Sequence, residues 1–80
     1  MKATQEQLTS WKGSGRQFEV IAAAIAEWAS GQERGTVLPD NRLFEHRLAL
    51  EASDTTFLRA KRLLATERIL ETSGGPYYVA

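Results

Sequence analysis

The chain has no cysteine, two prolines, one methionine and a single histidine in 80 residues. Without thiols there is neither a disulfide framework nor a thiolate metal site, which fits a reducing compartment. The lone histidine, His46, has no serine or acid at a spacing that suggests a triad, so it is expected as a surface or partly packed helix residue. No phosphate loop, dinucleotide fingerprint or metal-ligand cluster occurs. The expectation is therefore a protein that is not an enzyme and takes no metal or cofactor. Long apolar runs are missing as well. The longest, residues 20–26, is far too short to span a bilayer. No signal-peptide pattern opens the chain, and the expected location is the cytoplasm. Ten basic and ten acidic side chains give a formal net charge of zero. That argues against a strongly nonspecific nucleic-acid binder, whose affinity comes from surplus Lys and Arg.

What is present describes one small soluble domain. The composition, 42% hydrophobic and 25% charged, is ordinary for a globular chain. A domain of this size buries only about 60% of its unfolded surface, so a second subunit or a larger parent chain would help to stabilise it. The charge is unevenly spread. Between residues 42 and 62, Arg42, Arg47, Arg59, Lys61 and Arg62 outweigh Glu45, Glu51 and Asp54, and the rest of the chain carries a small acidic excess.

Residues 1–15 form a polar lead ending in Gly13-Ser14-Gly15, a flexible joint. This lead is either a frayed terminus or a short helix. Thr4 and Gln7 would cap the helix as a capping box, and Leu8 and Trp11 would dock it on the domain or on a second subunit. Residues 16–80 form the folded unit. Its clearest helix covers 16–30, with Phe18, Ile21, Ile25 and Trp28 as a core stripe, alanines adding helix propensity, and Gly31 as a left-handed stop. After an extended piece at Thr36-Val37-Leu38, Pro39 keeps Leu38 out of the helical region. Asp40 or Asn41 caps the next helix, in which Leu43, Phe44 and Leu48 face inward and Arg42, Glu45 and Arg47 outward. A break at Leu50-Glu51-Ala52 precedes Ser53 and Asp54, both good cap residues. The helix after it buries Phe57, Ala60 and Leu64 and shows Thr55, Arg59 and Arg62 on its polar side, where Lys61 is also expected. Two β-prone runs, Ile69-Leu70 and Tyr77-Tyr78-Val79, then flank the turn signal Ser73-Gly74-Gly75-Pro76.

Two helices joined by a short turn, the second amphipathic and basic, make the pattern of a helix-turn-helix DNA reader. With the hairpin as a wing, the expected fold class is mainly α with a small β-hairpin: a winged helix-turn-helix, three-helix core plus wing. From residue 18 to residue 80 the chain resembles the N-terminal DNA-binding domain of the GntR-type bacterial transcription regulators. The resemblance is carried by IAAAIAEWASG, TVLPDNRLF, TTFLRAKRLLATERIL and the terminal GGPYYVA. It implies that the Leu-Pro element opens the first helix of the motif and that the glycine-rich hairpin is the wing. Arg42 falls on a basic residue that touches DNA in that family, and Thr56 on its threonine in the recognition helix. There are departures. Asp54 and Leu58 stand where the family places two arginines, and its glycine between the helices is missing. The span from Pro39 to Ala60 is about two residues longer, and Arg68 and Pro76 replace two glycines. The sequence ends where most members of the family continue into a ligand-sensing domain, so the expectation is either a stand-alone small regulator or an excised domain.

The candidate DNA-binding residues are Arg42, Arg47, Ser53, Thr55, Thr56, Arg59, Arg62 and Tyr77. Arg42 and Arg47 are expected as phosphate clamps, and the second helix presents the groups that reach bases. Asp54 can accept from a cytosine amino group, although its role as a helix cap weighs more. Of Tyr77 and Tyr78 one packs inward, and the outward one can touch backbone or minor groove. The expected function is a sequence-specific DNA-binding transcription regulator, a repressor working as a homodimer on double-stranded DNA. The alternative is a winged helix repurposed for protein–protein contact through Leu58 or Trp11, and zero net charge, Asp54 and an exposed Leu58 favour it.

Overall fold

The residue types around positions 21–29 leave the second helix no polar side, and the fold is built around it. A computed structural model describes residues 2–80; Met1 of the N-terminal segment lies outside the described residues. The elements are α1 (Gln5–Lys12), α2 (Gln17–Ser30), α3 (Asn41–Leu48), α4 (Asp54–Thr66), β1 (Leu70–Thr72) and β2 (Tyr77–Val79). Ile21 through Ala26 and Ala29 are all buried, so α2 is covered on several sides rather than along one stripe. Its alanines let α1, α3 and α4 approach closely. The stop at Gly31 is not left-handed, because its φ is −96°. Instead Gly31 N–H donates to the Trp28 carbonyl and Gln32 N–H to that of Ala29, both at 3.1 Å, and the last turn tightens without needing positive φ.

The frayed reading of the N-terminal lead is corrected. Gln7 N–H donates to Thr4 Oγ1 at 3.1 Å and Thr4 N–H to Gln7 Oε1 at 2.9 Å, which closes the capping box of α1. Trp11 is only 7% exposed and joins the core. Burying an indole removes about 150–250 Å² of mostly apolar surface from water. Lys12–Glu27 at 3.0 Å and Gln7 Nε2–Glu67 Oε2 at 3.1 Å then tie α1 to α2 and to the end of α4. The joint behind it is also bonded: Ser14 Oγ donates to the Trp11 carbonyl and accepts from Arg16 N–H.

In α3 the cap is Asp40, whose Oδ1 accepts from Arg42 N–H at 2.9 Å. Phe44 is fully buried and meets Trp28 edge-on, with ring centroids 6.1 Å apart. Leu43 does not face inward. It is 38% exposed, because an eight-residue helix touching α2 along one side buries Phe44 and turns the neighbouring position away. Glu45 bends in rather than out: its carboxylate accepts from Ala52 N–H at 3.2 Å and braces the turn. The chain leaves α3 through Ala49, which adopts the left-handed conformation at φ 53° and ψ 43°. Phe57, Ala60 and Leu64 of α4 then complete the core.

The strands β1 and β2 pair antiparallel in the register Leu70 with Val79, Glu71 with Tyr78 and Thr72 with Tyr77. The other edge of β2 receives the stretch before α3. Gly35 N–H donates to the Val79 carbonyl at 2.8 Å, Val79 N–H to that of Thr36 at 2.8 Å, and Leu38 N–H to that of Tyr77 at 3.0 Å. The hairpin is thereby fixed beside the start of α3. The described residues are thus mainly helical, with four helices and one small antiparallel sheet.

Candidate nucleic-acid interface

The polar face of α4 starts from its cap. Ser53 Oγ accepts from Thr56 N–H at 3.2 Å and lies 3.0 Å from Thr56 Oγ1. Ser53 therefore takes the capping role, and Asp54 does not have it. Asp54 becomes the first helical residue, exposed, with its carboxylate at the positive end of the helix dipole. Each residue turns the helix by about 100°. Opposite the buried Phe57, Ala60 and Leu64, this puts Thr55 and Arg62 at the middle of the exposed arc. Asp54 and Leu58 fall toward the hairpin, and Arg59 falls toward α2.

Arg59 is held there. Its guanidinium carbon sits 4.1 Å from the centre of the Phe18 ring, and Arg16, Gln17 and Thr56 line the same cleft. Phe18 has a double role, half-buried against the core and stacked under a cation. Arg16 and Phe18 were absent from the candidates read in the sequence. No local spacing signals a cleft that forms only when α2 packs beside α4.

Lys61 is not on the open polar side. It is half-buried, and its ammonium donates to Asn41 Oδ1 at 3.0 Å, linking α4 to the start of α3. Burial lowers its pKa from the usual 10.5, while Asp54 and Asp40 act to raise it again. The aliphatic stem has no other place, because one turn of α4 faces the α3–hairpin corner.

That corner is a groove of about 390 Å³ between α4 and the hairpin, lined among others by Pro39, Asn41, Leu58, Lys61, Pro76 and Tyr77. Tyr77, the candidate outward tyrosine, lies on the same face of β2 as buried Val79 and packs partly against the core. Alternation along the strand makes Tyr78 the residue of the opposite face. Arg42 is exposed at the start of α3, with Asp40, Glu45 and Asp54 around the same hollow. Arg47 is exposed at the far end, about 140° around that helix from Arg42. The two do not form one clamp.

Ion pairs include Lys12–Glu27 and Arg16–Glu19, the latter at 3.8 Å, and among the described residues the guanidinium groups of Arg42, Arg47, Arg59 and Arg62 enter none. None of the described helices is long and apolar enough to cross a membrane. No protein-family model, curated protein or solved structure matches the chain.

Proposed function

We propose that the chain is a sequence-specific DNA-binding transcription regulator built as a winged helix-turn-helix. In this reading α3 and α4 are the motif, α4 enters the major groove by its N-terminal half, and the β1–β2 hairpin is the wing. The observation that carries it is the shared groove: the hairpin tip and the exposed start of α4 line one surface, braced from behind by α2 and the segment 35–38. Arg62 lies at the middle of the exposed arc. Arg59 and Arg16 flank it on the α2 side, and Arg42 stands by α3, positions suited to phosphates on either side of the groove. The protein acts as a homodimer whose two reading helices meet successive major grooves about 34 Å apart, and it represses by occupying a promoter.

A second reading has one observation in its favour. Leu58 is 37% exposed in a groove floored by proline and tyrosine, a surface that a protein partner could also cover. The two separate in a fluorescence-anisotropy titration with the duplex upstream of the protein's own gene and a scrambled control. Tight binding to the native duplex alone is expected, with affinity falling as salt rises. Each phosphate neutralised contributes about −0.9 to the slope of log K against log salt, so Arg62→Ala should flatten that slope by about one. Equal weak binding to both duplexes, unmoved by Arg59→Ala or Arg62→Ala, would reject DNA in favour of the protein partner.

A further inference from the structure

The edge of α4 nearest the hairpin carries one exposed carboxylate, one exposed isobutyl group and the half-buried ammonium of Lys61. Resting on the DNA-binding reading above, we propose that Asp54 and Leu58 are the specificity residues. Asp54 accepts from the N4 amino group of a cytosine, and Leu58 packs on the C5-methyl of a thymine nearby.

Four observations lead there. Ser53 already caps α4, so the Asp54 carboxylate is free of that role, exposed, and on the first residue of the helix that would enter the groove. Leu58 sits one turn further on the same side and is 37% exposed, the one large apolar side chain of α4 that is open to solvent. Arg59, the neighbouring cation, is drawn away onto Phe18. Lys61, the cation beside Asp54 on this edge, is half-buried and its ammonium donates to Asn41. What the helix start offers on this edge is thus one acceptor and one apolar group.

In the major groove these two chemistries have distinct partners. A carboxylate can only accept, and the cytosine amino group is the donor of a G·C pair, whereas the thymine methyl is the one apolar group exposed there. The carboxylate also sharpens selection, because beside phosphates it weakens binding to every duplex that offers it no donor. Residues i and i+4 are separated by about 6 Å along a helix, and base pairs by about 3.4 Å. The cytosine and the thymine should therefore lie within about two base pairs of each other.

The test is selection of duplexes from a randomised library by the full chain, followed by single-atom changes in the winning site. Enrichment of a site holding a C·G and an A·T pair within about two positions is expected. Replacing its thymines one at a time by deoxyuridine removes only the methyl. One such change should weaken wild-type binding about fourfold, the effect of losing one buried methyl group, and leave Leu58→Ala binding unaltered. Asp54→Asn should move the preference at the cytosine position toward adenine, since an amide pairs with adenine N6 and N7. An enriched site that tolerates every deoxyuridine, or that loses affinity equally in wild type and Leu58→Ala, overturns the inference while leaving the DNA reading intact. A library that yields no enriched site overturns both.

Discussion

Ala49 holds the turn between α3 and α4 in a conformation its side chain disfavours, so the strain can be removed by one substitution. At φ 53° and ψ 43° its Cβ crowds the following carbonyl, at a cost of about 1–2 kcal/mol for an L-residue. Glycine has no such contact, but it adds about 0.4–1 kcal/mol of chain entropy to the unfolded state. Ala49 is exposed, so no packing is lost with its methyl group. The balance for Ala49→Gly is a gain of about 0.8 kcal/mol, which for a domain of this size raises Tm by about 3–6 °C. Thermal unfolding followed by circular dichroism, with urea titrations to confirm an unchanged m-value, measures it. Ala65→Gly supplies the opposite sign. It lies within α4 and should cost about 1 kcal/mol through helix propensity alone. If Ala49→Gly destabilises as Ala65→Gly does, the turn is not left-handed in solution, and the orientation of α4 derived from it fails as well.

Two further outcomes follow from the same geometry. Trp11→Ala should cost about 3–5 kcal/mol in urea unfolding, the usual effect of deleting a buried aromatic ring; a loss below about 1 kcal/mol would mean that α1 frays in solution. Lys61 has a folded-state pKa below its unfolded 10.5, so the unfolded chain binds more protons in that alkaline window and stability should rise with pH across it. Lys61→Met should lack that rise, and identical pH profiles for the two proteins would show that the ammonium is not desolvated.

Most features that depended on groups two to four residues apart were legible in the chain before any fold was known. The Thr4–Gln7 capping box, a cap at Asp40 or Asn41 that the structure gives to Asp40, the buried stripe of Phe57, Ala60 and Leu64, and the reversal at residues 73–76 are of this kind. Hydrogen bonds and helical periodicity of that range connect residues that are already neighbours in sequence, so composition and spacing determine them. Other features required the tertiary structure. Arg59 stacks on Phe18 because α2 and α4 cross there, and Lys61 reaches Asn41 because α3 begins beside the second turn of α4. Gly31 is a local feature on which the sequence pattern still misled: hydrogen bonds between residues three apart close its helix at negative φ without the left-handed turn. Ala49, with no sequence signal for it, takes the left-handed position, where its N–H donates to the His46 carbonyl and Leu50 N–H to that of Glu45. Side chains that look alike along one polar stripe are thus sorted by which neighbouring element packs against each of them. The sequence determined that α4 has a polar, partly basic side; packing decided that Asp54 and Leu58 stay exposed on its hairpin edge while Arg59 is held on Phe18 and Lys61 on Asn41.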